Sequence, residues 1–531
     1  MRRSRHAAHA VTALAVAVAA TACSSGSGSD DGASGGKKSV VVATKNEIPA
    51  INPAKDNSST SIQLAWAMWA PLTDLDQKTG KLKYVVADSV TSKDARTWTI
   101  KLKPGWTFTN GEKLTAKAFV DTWNYTAYAP HGYKNNGFFS RIKGYDDLNP
   151  ASGKPKKTTM SGLKVINDLT FRVTLDKAFS PYPTTLMYYG SVALAPEVLK
   201  DPDAYDHKPI GYGPYKLKSQ WKAGQPVDMV RNKKYPLKGP EADQLTYRFF
   251  SNPETAYNEF LAGSVDYTIV PDTKSDTYKK DAPGKGAVSK AAVNMTYLAP
   301  PVNSGPYKDP KVRRALSLAL DRKALTKLRA GSFPATSFTA PSLPGHRENT
   351  CEACTLDVAK AKTLLKQAGG FPGTLKMYYN SDDPGQRVFA EALGNMWRQN
   401  LGIKVAYVGK PALDLSGLFS KGKVDGMYLA GWGHDYPSIE DWLTPIAGSH
   451  GDVNGARYSN PALDKLIDEG NALADPAAAI KKYQAAEDLE AEQMPMIPLY
   501  HKPDAYLHSP GVDPLDSPYA GLNPVWSTVS R

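Results

Sequence analysis

The pattern of apolar and polar positions changes along the chain, and its first half favours strands. Residues 39–44 form an apolar run that predicts a buried strand, and residues 97–103 alternate as in a half-buried strand. Residues 115–128 repeat with a helical period behind Thr115, whose hydroxyl suits the cap of a helix. We therefore expect a strand-rich region with an inserted helix.

From about residue 297 the pattern alternates between helices and strands. The predicted elements are a helix from 310, a helix at 356–368, a strand at 375–379, a helix at 386–400, strands at 403–407 and 424–432, and two helices between 461 and 492. Such alternation predicts an open α/β sheet in a lobe of its own.

Length and charge narrow the class of protein. A chain of 531 residues is too long for one core, so two or more packed lobes are expected. The formal net charge of +13 comes from basic residues that are scattered along the chain, without a motif typical of nucleic-acid binding. This distribution favours weak attraction to an anionic cell envelope over a nucleic-acid partner.

The N-terminus has the pattern of an export signal. Arg2, Arg3 and Arg5 precede an apolar run at residues 11–22, which is too short to span a bilayer, and Cys23 follows it. Residues 20–23 resemble the cleavage box of bacterial lipoproteins, in which the cysteine receives lipid. We therefore expect a signal peptide at 1–22, lipidation of Cys23 and a flexible Ser/Gly-rich tether at 23–38. Ordinary cleavage and twin-arginine export are the alternatives.

The two remaining cysteines, Cys351 and Cys354, are close in sequence. Outside the cytoplasm such a pair favours a structural disulfide. Half a zinc site would need a second pair of ligands, and none is near in the sequence. A redox pair is the other alternative.

A secreted serine hydrolase is the rival class. Residues 140–143 and 161–164 fit Ser-x-x-Lys, and residues 78–80 read Lys-Thr-Gly. The Lys-Thr-Gly string comes before both, which reverses the order in penicillin-interacting enzymes. The one Gly-x-Ser-x-Gly string, residues 32–36, lies in the Ser/Gly-rich tether, and His-Glu-x-x-His is absent, so we expect no enzyme activity and no cofactor.

Four stretches resemble the solute-binding proteins of peptide-type ABC importers, the oligopeptide- and dipeptide-binding family. They are residues 98–120, residues 211–215 with 230–235, residues 311–322 and residues 431–436. The resemblance implies a two-lobed α/β fold like that of periplasmic binding proteins, with an extra subdomain in lobe one. The implied boundaries are 39–295 for lobe one, 60–200 for the subdomain, 296–499 for lobe two and 500–531 for a return to lobe one.

The fourth stretch carries the expected site. Asp435 follows the strand predicted at 424–432, and ligands of open α/β sheets collect beyond such strand ends. In peptide-binding members of the family, the acid at this place pairs with the α-amino group of the peptide. Gly433 lies beside it, and the flanking Trp432 and Tyr436 could pack on the ligand. The alternatives are a turn or helix-cap role for Asp435 and core packing for the two aromatic residues.

Other candidates are weaker. His434 replaces the small residue that the family has before the acid, and it could lower binding at acid pH by adding a positive charge. Asn46 and Glu47 resemble the segment of lobe one that faces the ligand, and Tyr128 is a further candidate. Tyr297 and Asn303 are weaker still.

The resemblance also implies the partners. They are a small peptide ligand and the permease subunits of an ABC transporter with their ATPases, on the outer face of the membrane, and the protein is expected to be a monomer. Nickel or another metal chelate, haem and oligosaccharides are the alternative ligands within the family.

Overall fold

The computed structural model describes residues 38–531 apart from residues 46, 330, 452 and 520. The signal peptide expected at 1–22, the lipidation site Cys23, the tether up to residue 37 and Asn46 lie outside the described residues. No helix in the described part is long and apolar enough to cross a membrane.

The strands of the described chain are β1 (Ser39–Thr44), β2 (Thr73–Leu75), β3 (Leu82–Tyr84), β4 (Ala87–Thr91), β5 (Thr97–Leu102), β6 (Leu163–Asn167), β7 (Thr170–Thr174), β8 (Tyr215–Leu217), β9 (Val227–Arg231), β10 (Gln244–Phe249), β11 (Tyr267–Ile269), β12 (Gly286–Val288), β13 (Asn294–Ala299), β14 (Phe333–Pro334), β15 (Thr374–Asn380), β16 (Lys404–Lys410), β17 (Met427–Gly433), β18 (Ile497–His501), β19 (Ala505–His508), β20 (Val512–Ser517) and β21 (Gly521–Val529).

The α-helices of the described chain are α1 (Ser59–Met68), α2 (Ala116–Ala127), α3 (Tyr145–Leu148), α4 (Tyr182–Thr185), α5 (Pro196–Lys200), α6 (Pro253–Leu261), α7 (Tyr278–Asp281), α8 (Pro310–Leu318), α9 (Arg322–Thr326), α10 (Val358–Gln367), α11 (Pro384–Leu401), α12 (Ala412–Ser420), α13 (Glu440–Ala447), α14 (Pro461–Asn471) and α15 (Pro476–Gln493).

The first sheet has seven strands in the order β12-β19-β11-β1-β10-β9-β8. Its central strand β1 pairs in parallel with β10 and β11. Val40 and Val42 of β1 are buried, which agrees with the apolar run at this position. We call the part of the molecule built on this sheet lobe one.

A smaller four-stranded sheet, β4-β5-β7-β6, packs against α2. Phe119 of α2 stacks on Phe171 of β7 with ring centroids 5.7 Å apart, and Trp123 meets the same ring edge-on at 5.4 Å. These three aromatic side chains form the centre of the subdomain core, because all are fully buried.

The second sheet has six strands in the order β14-β18-β13-β17-β15-β16. Met295, Met377 and Met427, from the three adjacent strands β13, β15 and β17, are buried in its core. Trp397 of α11 packs there too, and its indole N–H donates to the carbonyl of Leu316 at 2.9 Å. This sheet with its helices is lobe two.

The chain crosses twice between the two sheets. β12 belongs to the first sheet and β13 to the second, while β18 belongs to the second and β19 to the first. The expectation of a two-lobed α/β fold is therefore confirmed. The boundaries proposed from sequence, at residues 295 and 499, remain predictions.

Helix ends read from the sequence are confirmed where a cap residue marks them. Thr115 caps α2 through its side chain, which accepts from the Ala118 N–H, and Asp309 caps α8 in the same way through the Lys311 N–H. Gly402 ends α11 in the left-handed conformation.

The lobes contact each other beside the cleft. Arg141 of the subdomain pairs with Glu440 of α13 at 2.8 Å. The backbone N–H of Ser180 donates to the carbonyl of Asn471 at 2.8 Å. These contacts join the two lobes. Within lobe two, a disulfide joins Cys351 to Cys354.

Candidate ligand-binding site

A cavity of about 880 Å³ lies between the two lobes. Lobe one supplies most of the wall, and lobe two adds residues just after β17. The aromatic and charged lining residues are Trp66, Trp69, Asp74, Lys83, Tyr84, Lys103, Tyr188, Tyr189, Tyr235, Lys238, Glu241, His434, Asp435, Tyr519 and Trp526.

One wall of the cavity is a face of α1. Ile62, Ala65, Trp66 and Trp69 all line the cavity, and their spacing of three or four residues places them on one side of the helix. Ser58 fixes the start of α1, because its hydroxyl accepts from the Ser61 N–H at 3.3 Å.

The opposite wall carries Asp435, as expected from the position of β17. Asp435 is an exposed residue that lines the cavity beyond the end of this strand. Its backbone N–H donates to Oδ2 of Asp441 at 2.7 Å, and the indole of Trp432 donates to the Asp441 carbonyl at 2.8 Å. Asp441 therefore fixes the loop that presents Asp435. The cap position of α13 is occupied by Ile439 rather than by Asp435.

Carboxyl groups are concentrated around this loop. Burial raises the pKa of Asp441 well above its usual range, and the charges of Asp435 and Glu440 raise it further. Burial, with a contribution from the charge of Asp435, also raises the pKa of Tyr189 to about 12. The Tyr189 hydroxyl therefore stays neutral, and the site favours a cation over an anion at this end.

His434 also lines the cavity. Its Nδ1 atom is buried and makes no hydrogen bond within the described part of the chain. Burial lowers the pKa of its imidazole to about 4, so the ring is neutral at neutral pH.

The other expected residues of the motif lie behind the cavity wall. Tyr436 is buried, donates its hydroxyl to Glu440 and meets the ring of Phe179 edge-on at 6.4 Å between ring centroids. It therefore takes part in the contact between the lobes. A Cβ on Gly433 would lie 2.1 Å from Oδ1 of Asn294, so a larger residue there would displace the Asn294 side chain.

The remaining candidates are spread over the molecule. Glu47 is exposed and accepts the Gly224 N–H at 2.7 Å. Tyr128 packs edge-on against His131 with ring centroids 5.1 Å apart, and Tyr297 is buried in β13. None of these tyrosine and glutamate side chains is among the lining residues described above.

Sequence reasoning missed most of the aromatic lining. Trp66, Tyr188, Tyr189 and Trp526 come from segments far apart in the chain and meet only in the folded protein. The one signal in the sequence for this lining is α1, because apolar residues lie on both sides of the helix.

The donor set of the site does not resemble a metal centre. Within the described residues, no group of three or more His, Cys, Asp or Glu side chains could hold a metal ion.

Two lobes joined by two crossings around one large cavity define a class of protein that encloses a ligand between its lobes. The family can be stated as well. Residues 81–454 match the model for "Bacterial extracellular solute-binding proteins, family 5 Middle", and the chain belongs to this family.

Relatives match over nearly the whole chain. The periplasmic oligopeptide-binding protein OppA of Salmonella typhimurium is 28% identical over 517 residues, which cover 91% of this chain and 92% of the relative. The periplasmic murein peptide-binding protein MppA of Escherichia coli is 27% identical over 500 residues, 91% of each.

Solved structures share the fold. The Escherichia coli murein tripeptide-binding protein MppA has a TM-score of 0.77 at 24% identity and covers 93% of this chain and 99% of its own. The substrate-binding protein CtaP of Listeria monocytogenes has a TM-score of 0.78 at 21% identity, with coverage of 93% and 100%.

Proposed function

We propose that this protein is the substrate-binding subunit of an ABC importer, which captures short extracellular peptides between its lobes and delivers them to a permease. The observation that carries the proposal is Asp435, a carboxylate on the lobe-two wall of a cavity whose lining includes eight Trp and Tyr residues. The named ligands of OppA and MppA, which are peptides, support it.

A peptide fits the chemistry of this site. Its α-ammonium group suits the negative charge around Asp435, and its main chain can hydrogen-bond to strand-like segments of the protein. A volume of about 880 Å³ lies in the range of roughly 300–1,000 Å³ found for drug-sized ligands, so the peptide has few residues.

The cellular setting follows from the sequence. We infer that residues 1–22 are removed and that Cys23 carries the lipid that holds the protein on the outer face of the membrane. Incorporation of labelled palmitate into the wild type, and not into a Cys23→Ser variant, tests this anchor. The permease and its ATPases are the partners of the monomeric binding protein, which returns peptides intact rather than cleaving them.

The Asp435→Asn variant tests the ligand assignment by isothermal titration calorimetry. We expect a loss of about 2 kcal/mol, or about thirty-fold in affinity for a tripeptide, because the ammonium group loses a charged partner. Thermal stability should stay close to that of the wild type, since Asp435 is exposed.

Asp74→Asn is the matched control. Asp74 is a carboxylate of the same cavity lining, supplied by lobe one, and it forms an ion pair with Lys83 at 3.2 Å. We expect a much smaller loss of affinity from this variant. Equal losses from both variants, or unchanged binding by Asp435→Asn, would refute the role of Asp435.

A further inference from the structure

One side of α1 packs in the hydrophobic core of lobe one, and the other side lines the cavity. Leu64 and Met68 on one face of this helix are fully buried in lobe one. Ile62 and Trp66 on the other face are half-buried and line the cavity. From Ile62 to Met68 this helix is apolar apart from Gln63, so it needs an apolar neighbour on both sides. The face towards the cavity is therefore suited to an apolar ligand surface.

The tyrosines beside Asp435 add apolar ring surface rather than free hydroxyl groups. The Tyr188 hydroxyl donates to Oδ1 of Asn135 at 2.8 Å and lies 3.2 Å from the Tyr189 hydroxyl. Both rings line the cavity, and the charge of Asp435 acts on both hydroxyls. Because these hydroxyls bond to protein groups, the rings offer mainly their carbon atoms to a ligand.

Several charged groups of the lining are already paired within lobe one. Lys83 pairs with Asp74 at 3.2 Å, and Lys103 donates to the carbonyl of Tyr84 at 2.7 Å. Glu241 accepts the backbone N–H of Val529 at 3.0 Å. At these groups a charged ligand side chain would have to compete with existing contacts, whereas an apolar side chain would not.

Buried polar atoms of Trp69 and His434 in the cavity wall have no hydrogen-bond partner among the described residues, and both suit a peptide main chain. The indole N–H of Trp69 is buried in the cavity wall and has no hydrogen-bond partner among the described residues. An indole N–H only donates, so it requires an acceptor such as a main-chain carbonyl. The unpaired Nδ1 of the neutral His434 ring can accept or donate.

We propose that this cavity selects short peptides with apolar side chains, aromatic ones above all, and that Trp66 and Trp526 are its specificity-determining residues. The two indoles come from α1 and β21, and each is half-buried on the cavity wall. This selectivity rests on the proposed function of peptide capture.

Calorimetry with matched tripeptides tests the selectivity. The panel contains tri-alanine, the three peptides in which one alanine is replaced by phenylalanine, and the three with glutamate instead. We expect at least one phenylalanine peptide to bind about ten-fold or more tightly than tri-alanine, because a buried phenyl ring removes much more apolar surface from water than a methyl group. No glutamate peptide should gain affinity.

Variants test the two indoles. Trp66→Ala and, independently, Trp526→Ala should lose most of the preference for phenylalanine over alanine. Phe333→Ala is the control, since Phe333 is an exposed aromatic residue of β14 outside the cavity, and it should keep the preference. Preservation of the preference in both tryptophan variants would overturn their assignment.

The outcomes separate this inference from the proposed function. Equal affinities across the panel, or tighter binding of the glutamate peptides, would overturn the apolar selectivity while peptide capture stands. Absence of binding by every peptide would overturn the proposed function and the selectivity with it.

Discussion

His434 and Asp435 are neighbours on the cavity wall, and burial affects the histidine strongly. The neutral imidazole adds no positive charge that would compete with a ligand ammonium group at neutral pH. The sequence suggested that His434 could weaken binding in mild acid. With a pKa of about 4, the imidazole in the folded protein gains its charge only at a much lower pH than an exposed histidine.

The same shift predicts a pH dependence of folding stability. In the unfolded chain His434 takes a proton near its ordinary pKa of 6.5, whereas in the folded protein it does so near 4. Unfolding therefore binds a proton between these values, and the free energy of unfolding falls as the pH drops from 6.5 to 4. Urea unfolding at pH 7 and pH 4.5 should show a larger loss for the wild type than for His434→Asn.

The comparison with His434→Asn is needed because nearby groups also titrate. Asp441 has a raised pKa, and His501 has a pKa lowered to about 4 by burial. Their contributions are common to both proteins. Equal losses of stability in the wild type and the variant between the two pH values would show that His434 does not contribute to the pH dependence.

At the residue scale, the sequence predicted the place of Asp435 beyond a strand end but not its neighbours on the cavity wall, and its role in binding stays a prediction. The acid could be placed because it follows a strand and belongs to a recognisable motif. Trp66 and Trp526 could not be assigned to one site, because α1 and β21 come together only through the folding of lobe one. Periodicity along one segment carries no information about such distant neighbours.

At the scale of elements, local rules predicted the helices with clear caps. Thr115 marks the start of α2 because its side chain accepts a backbone N–H of the first turn. Gly402 marks the end of α11 because it adopts the left-handed conformation. For α1, apolar residues lie on both sides of the helix, so local rules do not predict which face meets the core. That choice depends on the second lobe, which closes the cavity that Trp66 and Trp69 line.

The loop between β17 and α13 joins the element scale to function. The packing of Trp432 on the ligand stays a prediction, and its indole donates to the Asp441 carbonyl. Asp441, which sequence reasoning did not single out, accepts the Asp435 N–H. Through these two hydrogen bonds, the buried Asp441 fixes the position of the exposed Asp435.

At the scale of the whole molecule, two ion pairs join the lobes across the cleft. One includes a buried carboxylate, and the other is exposed. Glu440 is fully buried and pairs with Arg141, whereas Lys177 and Asp468 form a pair at 2.9 Å whose side chains are 78% and 55% exposed. Buried charges that lose a partner are costly, while exposed pairs contribute little. Closure therefore depends more on Arg141 than on Lys177.

Arg141→Met should weaken peptide binding by about ten-fold or more, because closure would then bury Glu440 without its cation and the open form would be favoured. Lys177→Met is the matched control and should change the affinity less than about three-fold. Calorimetry with one tripeptide measures both. Similar effects of the two variants would argue against a closure contact at Arg141.

The proposed binding mode places the amino end of a peptide at Asp435, between the two lobes. The most direct measurement is the affinity of the wild-type protein for one tripeptide with a free amino terminus and for the same peptide after acetylation. We expect acetylation to weaken binding by about thirty-fold, since it removes the positive charge. Equal affinities for the two forms would show that the amino group of the peptide is not bound at Asp435.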